Sequence, residues 1–352
     1  MKYDLKQWNV HTFGNGFHNL SQAEDQVLIA QSTCDANPTA ENSQAVNEAR
    51  ENLLKVQLQE EVDWRQKSHL KWLKEGDKNT RVFHSCVLQK RRASSMNMIR
   101  DEQDNLASEP KEIANLLIDY YKGFFSAQAC QSDQELLNVI PSLVTEAQNP
   151  MLTALPSEDE VREATFGLSK ESAPGPDGFT GLFLTTCWEI LKGDILAALT
   201  EFFNTPSLPR AYTSSFLVLI AKKSHAEMVT DFRPISLCNF VYKILARILN
   251  NRLSTILPLI ISDNQGAFVR GRNIAENIGM AQEFTNDINR KVVGSNVIFK
   301  LDMAKAYDRL DWNFLLDVLT KFGFCEKWIT FIKAMFTNCW FSILFNGGVH
   351  GF

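Results

Sequence analysis

Before Met96 the apolar positions recur at helical spacing and no alternating pattern of any length appears. A helix is expected over residues 20–31. A longer one is expected over about 41–74, with Val46, Ala49, Leu53, Val56, Val62, Leu70 and Leu73 as its apolar positions, until Gly76 and Asp77 interrupt it. This region therefore reads as a helical connector. Gly14-Asn-Gly16 is a turn ahead of a helix, since a dinucleotide fingerprint needs a third glycine and a preceding strand.

Further along, a helix is predicted over 112–125, and Pro141, Pro150 and Pro156 punctuate a junction that suggests a domain boundary near residue 150. Ser157-Glu-Asp-Glu160 has the form of a helix N-cap with acids in the first turn, where the helix dipole favours them. The pattern then mixes types. Helices are predicted over 158–169, 181–204, 239–257, 273–290, 311–321 and 326–338, with strands at 215–221 and 296–302. From Trp340 the chain reads as a strand, an Asn346-Gly347 hairpin turn and a second strand. The fold class is α+β: a helical connector over 1–150 followed by a mixed domain over 151–352.

With 352 residues and 45% hydrophobic content the chain is long enough for two or three packed domains, without disorder-like bias. Its longest apolar run, residues 216–221, is far below the ~20 residues of a membrane helix, and the N-terminus lacks a secretory apolar segment, so an intracellular, membrane-free protein is expected. The seven cysteines are far apart with no Cys-x-x-Cys, which argues for buried free thiols over zinc or disulfides. Net charge is only −5, but it is unevenly spread. Residues 64–100 carry ten Lys/Arg against two acids, 101–171 four against fourteen, and 222–305 twelve against seven. Basic segments of this kind attract phosphate backbones, although a charge run is more often a solvated face.

The most informative stretch is Val297-Ile-Phe-Lys-Leu-Asp302, followed by Tyr307. A β-type apolar run that ends in a carboxylate is how a metal-dependent nucleotidyl transferase presents a metal ligand. Taken alone, Asp302 is as well explained as the cap of a following helix, and Tyr307 as a core tyrosine. Asp308, Asp311 and Asp317 fit capping or surface roles. A dehalogenase-like phosphatase would need a second aspartate two residues after the first, where Ala304 stands. Trp72, Lys74, Lys78, Arg81, Phe83 and His84 interleave rings with positive charge, as an RNA-binding surface does; core aromatics on a basic helix explain them equally. Lys90-Arg91-Arg92 is too short to separate a localisation element from a phosphate contact.

Six segments resemble, in order, those of reverse transcriptases, the nearest kin being plant-type non-LTR (LINE-like) retrotransposon polymerases. They are Lys71 to His84, Ala173-Pro-Gly-Pro-Asp-Gly-Phe179, Ile220-Ala-Lys-Lys223, Asp231-Phe-Arg-Pro-Ile-Ser-Leu237, Asp263 to Arg272, and the Val297–Asp308 stretch. The resemblance implies the fingers and the first part of the palm of a right-hand polymerase. The implied ligands are Mg2+ (or Mn2+), an RNA template, a DNA primer and deoxynucleotides. It also assigns roles. Asp302 would be the catalytic metal ligand and Tyr307 the sugar gate that excludes a ribose 2′-hydroxyl. Lys222 and Arg233 would hold the triphosphate, with Lys223 able to replace Lys222. Gln265, Gly266, Arg270 and Arg272 would contact template or primer. Helical residues upstream would follow an endonuclease, and the site of action would be the nucleus. The sequence has no adjacent Asp-Asp pair. The activity implied by resemblance is that of an RNA-directed DNA polymerase; taken as complete, the chain is expected to lack polymerase activity of its own, the alternative reading being a non-catalytic nucleic-acid-binding remnant, and Ile343 and Phe345 are expected to be left as unpartnered edge residues.

Overall fold

The structure is a computed structural model that describes residues 2–12, 14, 16–68, 80–93, 95–126, 134–288, 290, 294, 296–303, 306–307 and 310–351. It divides into two compact units, Met1–Met96 and Asn97–Phe352. The proline-rich junction near 150 lies inside the second unit.

The first unit holds α1 (Lys2–Thr12), α2 (Gly16–Ala36), α3 (Ala40–Ser68) and α4 (Thr80–Ala93). Helices α2 and α3 pair as a hairpin, and the reason is visible in the spacing. Leu20, Ala23, Val27, Ala30 and Cys34 alternate steps of three and four along α2, as do Val46, Ala49, Leu53 and Val56 on α3, and all are buried or half-buried. Small residues at this seam let polar pairs form across it: Arg50 donates to Gln31 Oε1 at 3.0 Å. Val62 lies off the seam, 51% exposed beside exposed Leu54 and Leu58. Phe83 of α4 is 3% exposed, so it is a packed side chain and not a stacking platform. Trp72, Lys74 and Lys78 lie outside the described residues, as do the side chains of Arg81, His84 and Arg91.

The second unit begins with the short pair β1 (Ile99–Arg100) and β2 (Leu106–Ala107), then α5 (Pro110–Phe124), α6 (Gln134–Asn138) and α7 (Asn149–Thr153). Next come α8 (Glu158–Phe166), α9 (Gly181–Thr186), α10 (Trp188–Asn204), α11 (Arg210–Thr213), β3 (Ser214–Ala221) and β4 (Phe232–Cys238). They are followed by α12 (Phe240–Leu253), α13 (Leu257–Ile260), α14 (Ile274–Asp287), α15 (Trp312–Phe322), α16 (Glu326–Thr337), β5 (Trp340–Phe345) and β6 (Gly348–His350). Ser157 caps α8 by accepting from the Glu160 amide at 3.2 Å, as its sequence position implies. Asp311 caps α15 through the Phe314 amide at 2.8 Å.

The core lies where α8, α10, α12 and α16 meet. Leu191, Ile195, Leu199, Phe202 and Phe203 line one face of α10 and Ile244, Leu245, Ile248 and Leu249 one face of α12, all at most 5% exposed. Phe331 of α16 sits against Phe202 and Phe203, with centroids at 5.3 and 4.9 Å. Each such ring contributes roughly 2–3 kcal/mol of apolar burial.

The main sheet has the order β4-β3-β5-β6, with β3 parallel to β5 and the other pairs antiparallel. Leu217 is in register with Ile343, and both are buried. The period of two then turns Phe216, Val218 and Ile220 to the opposite, partly open face. Ile343 and Phe345 are 4% and 7% exposed, contrary to the expectation that they lack partners, because β5 lies between β3 and β6. Asn346 and Gly347 take φ of 48° and 78°, the geometry of the expected hairpin turn. The expected strand at 296–302 is not formed. Residues 296–303 belong to no strand, with Val297, Phe299 and Leu301 64%, 82% and 89% exposed. Lys300 interrupts the apolar run, and residues 296–303 pair with no strand of the observed sheet. The described cysteines are free and half-buried. Among the described residues no helix is long and apolar enough to cross a membrane.

Candidate nucleotide and nucleic-acid interface

The Pro174-Gly-Pro-Asp-Gly178 segment is a structural clamp. Asn239 precedes α12 but spends its side chain elsewhere: Oδ1 accepts from the Asp177 amide at 2.9 Å and Nδ2 donates to the Ala211 carbonyl at 2.6 Å. Asp177 replaces it as the cap, accepting from the Phe240 amide at 2.7 Å and the Phe179 amide at 3.2 Å. A carboxylate at a helix N-terminus is favoured by the exposed amides and the dipole. Gly175 makes the approach possible, since a Cβ there would lie 2.5 Å from the Cys238 carbonyl. Gly178, at φ 80°, closes the turn. The end of β4 is thereby fixed to the start of α12.

On that sheet, β3 and β4 pair with Ile220 opposite Arg233, and the Lys222 amide continues the ladder to the Asp231 carbonyl at 2.8 Å. The period of two places Ile220, Lys222 and Arg233 on one face. The two lysines differ in their commitments. Lys223 forms an ion pair with Asp231 at 3.0 Å, whereas Lys222 donates to the neutral Thr230 carbonyl at 2.7 Å and forms no ion pair among the described residues. Burial pushes the Asp231 carboxyl up, but the Lys223 ammonium and the Met228 and Glu227 amides outweigh it and hold the group below the usual carboxylate range. The loop between the strands is tied down by β1, whose Arg100 amide donates to the Glu227 carbonyl at 2.7 Å. Arg233 is exposed and has no acid partner among the described residues.

Residues 261–273 form the second candidate region, and here the two arginines part. Arg272 turns inward. Its guanidinium donates to the Ile261 carbonyl at 2.9 Å, the Gln265 carbonyl at 3.1 Å and the Ser262 carbonyl, and pairs with Asp263 at 3.1 Å. It holds the loop's shape, which the sequence reading did not foresee. Arg270 is exposed, with no ion pair among the described residues. Gly266 abuts Asn277 of α14 so closely that a Cβ would collide with its amide oxygen, and Asn277 donates to the Asn264 carbonyl at 2.7 Å. Gln265 donates to the Ala267 carbonyl within the loop.

The sugar-gate candidate Tyr307 is 81% exposed and meets this loop through Phe268, edge-on with centroids 6.5 Å apart. Asp302 is exposed and makes no hydrogen bond or ion pair among the described residues. Two groups thus form, Lys222 with Arg233 and the 265–272 loop with Tyr307, and no polar or ring contact among the described residues joins them to each other or to Asp302. No three His, Cys, Asp or Glu side chains converge among the described residues. Asp302 as placed does not by itself fit a divalent-metal site. Phe268 escaped the sequence reading because nothing in its neighbours marks an aromatic for exposure at a positive φ.

Known proteins match along the region holding both groups. Residues 220–350 match the reverse transcriptase (RNA-dependent DNA polymerase) family. The chain is 27% identical over 275 residues to the transposon TX1 uncharacterized 149 kDa protein of Xenopus laevis, covering 77% of this chain and 21% of that protein. It is 24% identical over 284 residues to the RNA-directed DNA polymerase from mobile element jockey of Drosophila funebris, covering 78% and 30%. It is 28% identical over 179 residues to the retrovirus-related Pol polyprotein from type-2 retrotransposable element R2DM of Drosophila melanogaster, covering 50% and 16%. The chain spans less than a third of the length of each of these relatives. The matched segment begins inside β3 and ends at β6, so Lys222, Arg233, the 261–273 loop, Asp302 and Tyr307 all fall within it.

Proposed function

We propose that this chain is part of the RNA-directed DNA polymerase of a non-LTR retrotransposon, of the plant-type kin its motifs resemble. Residues 151–352 would supply the fingers and first part of the palm of a right-hand polymerase, and 1–150 the helical connector. The observation that carries the reading is the reverse transcriptase match over 220–350, which encloses every candidate site residue. Lys222 and Arg233 are the triphosphate contacts: they share one sheet face, and neither charge is neutralised by an acid among the described residues. Gln265, Gly266 and Arg270 are the template or primer contacts, with Arg272 a positioning residue that holds their loop. The motif resemblance assigns Asp302 to a divalent metal that would orient attacking and leaving oxygens, although Asp302 alone does not complete such a site among the described residues. Tyr307 is the sugar gate, and the site of action is the nucleus.

Binding and extension together test this. The 352-residue chain is expected to bind a DNA primer annealed to RNA with an affinity that falls steeply with salt, and the Lys222→Ala/Arg233→Ala pair is expected to weaken deoxynucleotide binding to that complex while leaving primer–template affinity unchanged. Salt-independent binding, or none, would sink the reading. Mg2+-dependent extension abolished by Asp302→Ala would put that carboxylate at the chemistry. Binding without extension would favour a non-catalytic nucleic-acid binder.

A further inference from the structure

We propose that Phe268 is a stacking platform for a base of single-stranded RNA, with Arg270 holding the adjacent phosphate. The inference rests on the nucleic-acid reading above and deepens it by naming how the 261–273 loop grips a strand.

Phe268 is anomalous in two ways at once. Its side chain is 85% exposed, and its backbone sits at φ 64°, the left-handed region that a residue with a bulky side chain rarely adopts. An apolar ring gains nothing from water, and strain of this kind persists only where the surroundings impose it. Here they do. Arg272 fastens the loop through the Ile261, Ser262 and Gln265 carbonyls, and its amide donates to the Val269 carbonyl at 3.2 Å. Val269 is 7% exposed, so with its neighbour's side chain turned inward the ring of Phe268 is turned out. Gly266 and Asn277 fix the other side of the loop.

The one described ring against Phe268 is Tyr307, at 86° to it. An edge-to-face pair leaves at least one face of Phe268 open, whichever ring presents its edge. Every base has a flat π-face that can occupy such a platform, so the contact would tolerate any sequence. Arg270 lies two residues on, exposed and without an acid partner among the described residues, while Arg272 is committed to the loop. A rigid ring beside an uncommitted guanidinium meets the two requirements of single-strand binding, stacking and backbone charge.

The test uses the 352-residue chain with two probes of equal length, a short single-stranded RNA and the same backbone lacking bases. Phe268→Ala should weaken binding of the base-bearing strand about ten-fold and leave the base-free strand unchanged, and Phe268→Trp should restore affinity. Arg270→Ala should weaken both strands and lower the salt slope by about 0.7. Equal affinities for Phe268→Ala and the parent chain would overturn the platform while leaving the nucleic-acid reading intact. So would equal losses on both strands, or a lower melting temperature with unchanged affinity, which would show that the ring packs on protein. Failure of the parent chain to bind either strand would overturn both.

Discussion

Replacing Asp177 by alanine tests whether the Pro-Gly-Pro-Asp-Gly segment works as a clamp. The change removes the acceptor of the Phe240 amide at 2.7 Å and of the Phe179 amide at 3.2 Å, while Asn239 keeps its bonds to the residue 177 amide and the Ala211 carbonyl. A charge-assisted hydrogen bond contributes about 1.5–3 kcal/mol and a carboxylate at a helix N-terminus about 0.3–1 kcal/mol. Asp177 is half-buried and water would replace part of this, so the expected loss is about 2 kcal/mol. Asp177→Asn keeps an acceptor oxygen and loses the charge, and about 1 kcal/mol is expected for it. Urea unfolding with an unchanged m-value reads both, and amide exchange at Phe240 should accelerate before that of the α12 interior. A loss under about 0.5 kcal/mol for Asp177→Ala, or equal losses for the two variants, would refute a charged cap at this helix.

Arg252 grips Glu160 through two bonds of 2.8 and 2.7 Å, donates to the Leu152 and Ala154 carbonyls at 2.9 and 2.6 Å, and lies 4.9 Å over the Phe203 ring. Arg252→Met would strand a carboxylate and two carbonyls, and because Glu160 is 28% exposed the expected destabilisation is about 3 kcal/mol, at the low end for a broken buried pair; a urea-measured loss below about 1 kcal/mol would contradict it. Tyr242 donates to the Met335 carbonyl at 2.5 Å, and burial, with the Cys339 and Cys238 thiols adding, raises its phenol well above the usual tyrosine range. The folded state therefore holds this proton more tightly than the unfolded one, so the contribution is complete below about pH 10 and is lost as pH rises beyond it. Tyr242→Phe should cost about 1 kcal/mol at neutral pH and flatten the alkaline fall in stability, and parallel stability–pH curves above pH 10 would count against the assignment.

What the sequence by itself determined is what near neighbours decide. The three-four spacing of Leu20, Ala23, Val27, Ala30 and Cys34, the Ser157 cap and the Asn346-Gly347 turn are local, because spacing and φ preference act within one turn of helix or hairpin. The motifs within the segment similar to reverse transcriptases, residues 220–350, were legible in the same way, since motif chemistry is written in consecutive residues. The tertiary structure alone decided which side chains remain available. Strand β4 forms despite Pro234, because it is an edge strand where a missing amide is tolerated. Ile343 and Phe345 are buried because β5 lies inside the sheet, while Val297, Phe299 and Leu301, with Lys300 among them, pair with no strand and stay exposed. Arg270 and Arg272 are indistinguishable in sequence, yet one is committed to loop carbonyls and the other is open to solvent. Phe268 became a candidate only when its neighbours were seen to force it outward. The fate of a charge or a ring depends on partners distant in the chain, 63 residues away for Asp177 and Phe240 and 92 for Arg252 and Glu160, and periodicity holds no record of contacts at that range.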